Sequence, residues 1–280
     1  MSRRNNSERT GAPHPDAPSP PTVDTSDLFA FVNPTEFVEL PSKGLYYPDG
    51  HPLQGETVVE IKHMTAKEED ILTSEALLKN ELAIDRLLSA VIVNPAIKVG
   101  DLLIGDKNAL LIAARITGFG PFYTVNTPCT ACGHEAPYDF DLTELQPHPL
   151  DLPDDVSDED AGIFSFELPI SKVRIYVRLL TSRDEKRTVA MLVGDGTKGV
   201  ANPVTGLLKA VVVRANEHTD PAVLTEFIES MPLPDVKHLR NIYEEIKPDL
   251  DLRFDFTCIK CGEDGKVGMP MTAAFFWPDS

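Results

Sequence analysis

Long apolar runs are missing from this sequence. No stretch approaches the roughly 18 apolar residues that a membrane-spanning helix needs. The opening Met1-Ser2-Arg3-Arg4 runs on into polar residues where a signal peptide would turn apolar. The expectation is a protein with no membrane partner, made for the cytoplasm of the producing cell. Basic residues are also in short supply: 26 Lys and Arg stand against 44 Asp and Glu, a formal net charge of -18. A surface this acidic repels phosphate backbones and anionic lipid alike, so no nucleic-acid partner is expected either.

Catalytic signatures are lacking as well. There is no nucleophile elbow of the Gly-x-Ser-x-Gly type and no His-Glu-x-x-His zinc motif. Gly194-Asp195-Gly196-Thr197-Lys198-Gly199 fails the phosphate-loop pattern, in which Gly-Lys is followed by Ser or Thr, and reads as a turn between helices. Acidic residues crowd between Gln146 and Gly162, but without the twelfth-position Glu of an EF-hand loop they read as solvated charge. His63 and His238 read as partly buried or surface residues. No catalytic or cofactor-binding constellation emerges, and the expectation is that the protein is not an enzyme.

Cysteine is rare, yet all four cysteines fall into two pairs of one form, Cys129-Thr130-Ala131-Cys132-Gly133 and Cys258-Ile259-Lys260-Cys261-Gly262. Two intervening residues let both thiolates of a pair face one ion at about 2.3 Å. The following glycine lets the backbone turn tightly under the second sulfur. Four thiolates close a tetrahedral zinc site and leave no open position for water or substrate, so a structural Zn2+ is expected on Cys129, Cys132, Cys258 and Cys261. A reducing cytoplasm favours metal over disulfide. A redox Cys-x-x-Cys needs a helix N-terminus behind it, whereas β-forming residues flank both pairs. His134 is the one further candidate ligand, and with four thiols present it is expected outside the coordination shell.

The rest of the composition is ordinary: 42% hydrophobic and 25% charged residues suit a globular core that needs no disulfides. Residues 1–27 are rich in Pro, Ser, Thr and charge and read as a disordered tail, with order beginning near Leu28-Phe29-Ala30-Phe31-Val32. An α+β fold of two internally similar halves is expected, 28–145 and 163–280, joined by an acidic, Pro-rich linker over 146–162. Phe37-Val38-Glu39-Leu40-Pro41-Ser42-Lys43 has its counterpart in Phe166-Glu167-Leu168-Pro169-Ile170-Ser171-Lys172. A strand follows each, over 57–61 and 173–177. Helix starts follow the strands, marked by Thr65 with Glu68 and by Thr181 with Asp184 or Ser182 with Glu185. Leu87–Val93 matches Leu207–Val213, both expected as buried helix. Asp106 and Asp235 are expected as caps of helices ending at Ile116 and Ile246. Each half closes in a strand–knuckle–strand hairpin, so the metal would staple the two halves together.

Two aromatic segments stand apart. Leu40 to Gly50 is an irregular arm whose Leu45, Tyr46 and Tyr47 need cover, either from the protein's own body or from a partner. Phe275-Phe276-Trp277-Pro278 is expected to close the core beside the metal. The run Phe37 to Tyr47, the Met64–Leu72 helix start, and the late Cys-x-x-Cys-Gly followed by Phe275 to Pro278 resemble the T4-type bacteriophage baseplate protein family, from about Phe31 onward. Members are described as baseplate hub subunits. The resemblance implies a viral protein of tail assembly, acting in the host cytoplasm, with the virion tail baseplate as its second location. It implies baseplate hub or tape-measure proteins as partners. The competing functions are a tail assembly chaperone for the tape-measure protein, a nucleic-acid-binding zinc ribbon and a thiol redox enzyme. Oligomeric state is left open.

Overall fold

A computed structural model describes residues 33–74, 82–148, 150–160, 162–193, 203–269 and 273–276. The expected tail, the Leu28–Val32 run, the Gly194–Gly199 turn and Trp277 lie outside these residues. Pro34–Ser280 form one unit, and seven helices and four small antiparallel sheets are described in it. The class is mixed α+β.

The first element among the described residues is β1 (Thr35–Glu39), antiparallel to β2 (Val58–Lys62), with Val38 facing Val59. Alternation puts Val59 and Ile61 into the core and leaves Phe37 in solvent. The arm between these strands folds back on the protein's own body: Leu40, Tyr46 and Tyr47 are buried, and the Tyr46 ring meets Phe164 edge-on at 5.4 Å. Only Leu45 of the apolar trio stays exposed.

Helix α1 (Ala66–Thr73) starts at the expected capping box, with Thr65 and Glu68 bonded reciprocally. Then come α2 (Ala83–Val91) and α3 (Ile104–Phe119). Nearly all of α3 from Gly105 to Ala114 is buried, the mark of a core helix. Each of its buried polar residues reaches a different part of the chain. Lys107 pairs with Glu185 at 2.6 Å, Asn108 donates to Asp249, and Arg115 donates to the Phe275 and Gly120 carbonyls. Gly105 lets the Pro248 backbone approach so closely that a Cβ would sit 1.9 Å from the Pro248 carbonyl oxygen.

The hairpin β3 (Phe122–Pro128) and β4 (Glu135–Asp141) follows. A four-stranded sheet comes next, ordered β5 (Ser157–Asp160), β6 (Ile163–Glu167), β7 (Arg174–Arg178) and β8 (Val212–Ala215). Between β7 and β8 run α4 (Ser182–Val193) and α5 (Pro203–Val211). After β8 come α6 (Pro221–Ser230), α7 (Leu233–Ile246) and the hairpin β9 (Arg253–Thr257) with β10 (Asp264–Gly268). One apolar core holds the unit together, from Leu40 through Leu110 and Phe164 to Ile246 and Phe276.

Several sequence expectations need correcting. Asp106 and Asp235 do not cap their helices; α3 and α7 begin two or three residues earlier. Both carboxylates are buried and turn instead to a distant loop. Asp106 accepts from the Ser42 N–H at 2.9 Å, the Ser42 hydroxyl at 2.6 Å and the Tyr47 hydroxyl at 2.7 Å. Asp235 accepts from the N–H groups of Ile170 at 2.8 Å and Ser171 at 3.0 Å. Buried turns need acceptors for their N–H groups, and a carboxylate in a helix's first turn also gains from the helix dipole.

Leu87–Val93 and Leu207–Val213 are helical only as far as Val91 and Val211. Ile92 then bridges to Ile61, and Val212 pairs with Val177. Both runs end in β-branched residues, which lose side-chain freedom in a helix and fit a strand better. The second capping box uses Thr181 with Asp184, whose carboxylate accepts both the Thr181 N–H and hydroxyl, and not Ser182 with Glu185. The acidic segment after Gln146 is more than a surface linker: it supplies β5 and buries Val156. Finally, Phe275 packs 5.2 Å from Tyr123, at the foot of the β3 strand rather than beside the cysteines. Cys129 lies six residues along the chain from Tyr123, roughly 20 Å when extended.

Candidate metal centre

The two cysteine pairs sit on the turns of the β3–β4 and β9–β10 hairpins. The turns are built alike. The Cys129 N–H donates to the His134 carbonyl and the Gly133 N–H returns to the Cys129 carbonyl, both at 2.9 Å. The Cys258 N–H donates to the Glu263 carbonyl at 2.8 Å and the Gly262 N–H to the Cys258 carbonyl at 2.9 Å. Gly133 and Gly262 adopt φ of 66° and 74°, the left-handed region that glycine enters without penalty.

The structure brings together all four sequence-predicted sulfurs. Cys129 Sγ lies 3.6 Å from Cys261 Sγ, and Cys132 Sγ lies 3.8 Å from Cys258 Sγ. All four sulfurs fall within 4.8 Å of one another. A disulfide needs about 2.05 Å, so these are not disulfide distances. Four sulfurs at about 2.3 Å from one ion stand about 3.8 Å apart along each edge of a tetrahedron, which matches the spacing found. The set can hold a metal ion. Cys129 and Cys258, the first of each pair, are buried, and Cys132 and Cys261 are exposed. His134 contributes its carbonyl to the turn and is not in the sulfur cluster.

Electrostatics favour a cation here. The Cys261 and Lys260 backbone N–H groups hold the Cys258 thiol down to about 6. At Cys261 the Glu263 N–H favours the thiolate, but the neighbouring sulfurs of Cys132 and Cys258 outweigh it and push that thiol up to about 12. The cluster resists carrying several negative sulfurs at once, and a divalent cation removes that resistance.

Sequence reasoning missed what braces the two hairpins. Phe140 stacks on Phe254 with centroids 4.5 Å apart, Tyr138 meets Phe256 at 4.7 Å, and the Ile259 N–H donates to the Tyr138 hydroxyl at 3.4 Å. The signal was present as aromatics two apart, on one face of β4 and of β9.

Compared with known protein families, residues 35–277 match the family described as T4 bacteriophage base plate protein. The chain belongs to this family. No curated protein and no solved structure matches it. The match takes in both hairpins of the baseplate protein, so all four cysteines lie inside the family region. Among the described residues, no helix of this baseplate protein is long and apolar enough to cross a membrane.

Proposed function

We propose that this chain is a non-enzymatic phage tail protein that works in baseplate hub assembly or structure through protein–protein contacts, folded around one structural zinc ion on Cys129, Cys132, Cys258 and Cys261. The convergence of four sulfurs from hairpins more than a hundred residues apart carries the reading. Four thiolates fill a tetrahedral zinc and leave it no vacant position for chemistry. Family membership supports the baseplate, contact with other phage structural proteins, and a place in the virion tail.

The zinc would clamp two internally similar halves, 28–145 and 163–280, linked through 146–162. Several pairs of features support that duplication. Lys43 and Lys172 both end a Leu-Pro turn with positive φ, 50° and 57°. Asp106 and Asp235, in the first turns of α3 and α7, anchor those two turns. The Ile61–Ile92 bridge occupies the place of the Val177–Val212 pair. The reciprocal Thr65–Glu68 and Thr181–Asp184 boxes stand at equivalent helix starts.

Metal analysis of freshly purified protein, with mass spectrometry of purified virions, tests the reading. One zinc per chain and recovery with tail components are expected. Pull-downs from infected cells that recover no tail or hub protein would count against it, and absence from virions would turn the role into that of an assembly chaperone.

A further inference from the structure

Among the described residues, strand β1 has a partner on one side only. Among the described residues its sheet holds β1 and β2 alone, whereas β6 lies between β5 and β7. The His63 N–H donates to the Pro34 carbonyl and the Leu40 N–H to the Thr57 carbonyl. Residues 34, 36, 38 and 40 therefore face β2, and antiparallel alternation turns the N–H and C=O groups of Thr35, Phe37 and Glu39 to the open side. Phe37 is 66% exposed on that strand. Beside the end of β1 opens a largely apolar groove of about 630 Å³, lined by Val38 and Leu145 together with Ile112 and Ile116 of α3.

The other sheet shows how such an edge is covered. There β5 adds to β6, the segment leading into it buries Val156, and Asp155 approaches His238 of α7 at 3.9 Å. Charge matches too. β5 reads Ser-Asp-Glu-Asp, and the strands beyond it carry Arg174, Arg178 and Arg214. The β1–β2 sheet has the opposite sign, with Glu36, Glu39 and Glu60 against Lys62. A second copy of β1 on this edge would gather the Glu36 and Glu39 carboxylates of both strands on one small sheet, and like charges held close together are unfavourable.

We infer that β1 takes up an extended segment of another polypeptide, alternating apolar and basic residues, which adds as a third strand and lowers apolar side chains into the groove. The inference rests on the reading of the chain as a protein that works by contact, and names one surface and the chemistry of what it binds.

The test uses the full chain and an eight-residue peptide alternating lysine with valine, with a glutamate–valine peptide as control. Fluorescence anisotropy should show preferential binding of the lysine peptide, and hydrogen exchange should show slowed Phe37 and Glu39 amides in the complex. Phe37→Pro removes an outward N–H and keeps the bonds to β2. It should weaken binding by roughly fivefold or more. Should that variant unfold, a lysine–valine peptide N-methylated at alternate residues removes the same bonds from the other side. Glu39→Lys should shift preference toward the glutamate peptide. Binding that ignores both Phe37→Pro and N-methylation would reduce the effect to general charge attraction and overturn the inference. A Phe37 amide already protected before peptide is added would overturn it as well: the chain covers its own edge, or a second copy does if protection grows with protein concentration. Either failure leaves recovery with tail proteins untouched, so the two readings fail separately.

Discussion

The turn at Cys129 and the turn at Cys258 make the same two backbone bonds, use the same left-handed glycine and contribute one buried and one exposed sulfur each. The sheets that precede them differ. Among the described residues β1 has β2 alone beside it, while β6 lies between β5 and β7. A site for one ion leaves little latitude, because sulfur positions are set to a few tenths of an ångström. A sheet edge tolerates addition and loss, since each strand brings its own hydrogen bonds and its own apolar cover. The likeness therefore marks where the geometry is dictated, and the difference marks where the two regions are free to serve different contacts.

The strongest way to break the comparison is to remove one sulfur from each hairpin. If the proposed ion is bound there, Cys129→Ser and Cys258→Ser would each leave it three thiolates and release a clamp between distant hairpins. Both should lose most of their bound metal and most of the folded protein, and to the same extent. Metal content and thermal melting report this; a melting temperature unchanged from the parent in either variant would contradict the clamp. Chelation of the intact protein should reproduce the loss.

The next largest effect separates the first turns of α3 and α7. Gly105 is pressed against the Pro248 backbone, so Gly105→Ala should cost about 3 kcal/mol or more through overpacking. Pro234, at the matching place in α7, is exposed, and Pro234→Ala should stay within about 1 kcal/mol. Denaturant midpoints compare the two directly.

Much of the site and part of the fold were legible in the sequence because their signals are local. Cys-x-x-Cys-Gly fixes a turn within five residues, and Thr65 meets its partner Glu68 within one helical turn. What stayed hidden depends on residues far apart. Asp106 looked like a cap because caps are local, but its donors lie 64 and 59 residues away at Ser42 and Tyr47. The acidic stretch before Ile163 looked like a solvated linker because its strand character comes from pairing with β6, not from β-forming residues. Nearness in sequence points Phe275 toward the metal, whereas Arg115 and Tyr123 hold it at the end of α3.

The two anchoring aspartates sharpen the comparison further, because acid should act on them in opposite directions. Burial raises the Asp106 carboxyl above its ordinary 3.8, against the bonds from Ser42 and Tyr47. Between 3.8 and that raised value the folded chain binds more protons than the unfolded one, so Asp106 adds stability as pH falls through this window. At Asp235 burial opposes the charge, but the Ile170 and Ser171 N–H groups prevail and hold the carboxyl below 3.8. Its contribution is complete above 3.8 and is lost as pH falls through the lowered value. Asp235→Asn should therefore flatten the acid limb of the stability curve and Asp106→Asn should steepen it. Each should also cost about 2 kcal/mol near neutrality through mispaired buried donors.

The smallest expected difference lies between the two capping boxes. Thr65→Ala and Thr181→Ala should each cost about 1 kcal/mol, as removal of such a cap usually does. They should part company in acid. Glu68 is held below its ordinary range, with burial opposing and the Thr65 hydroxyl and N–H prevailing. Asp184 goes further, to about 2, because Arg178 donates to it at 2.8 Å in addition to the Thr181 bonds that overcome its burial. Both carboxylates stabilise the fold above their ordinary values and stop doing so as pH falls through the folded ones. The Thr181 box should thus persist to lower pH than the Thr65 box. If Thr181→Ala and Thr65→Ala show the same stability deficit at every pH between about 2 and 5, the Arg178 contact adds nothing to its box and the two helix starts are equivalent.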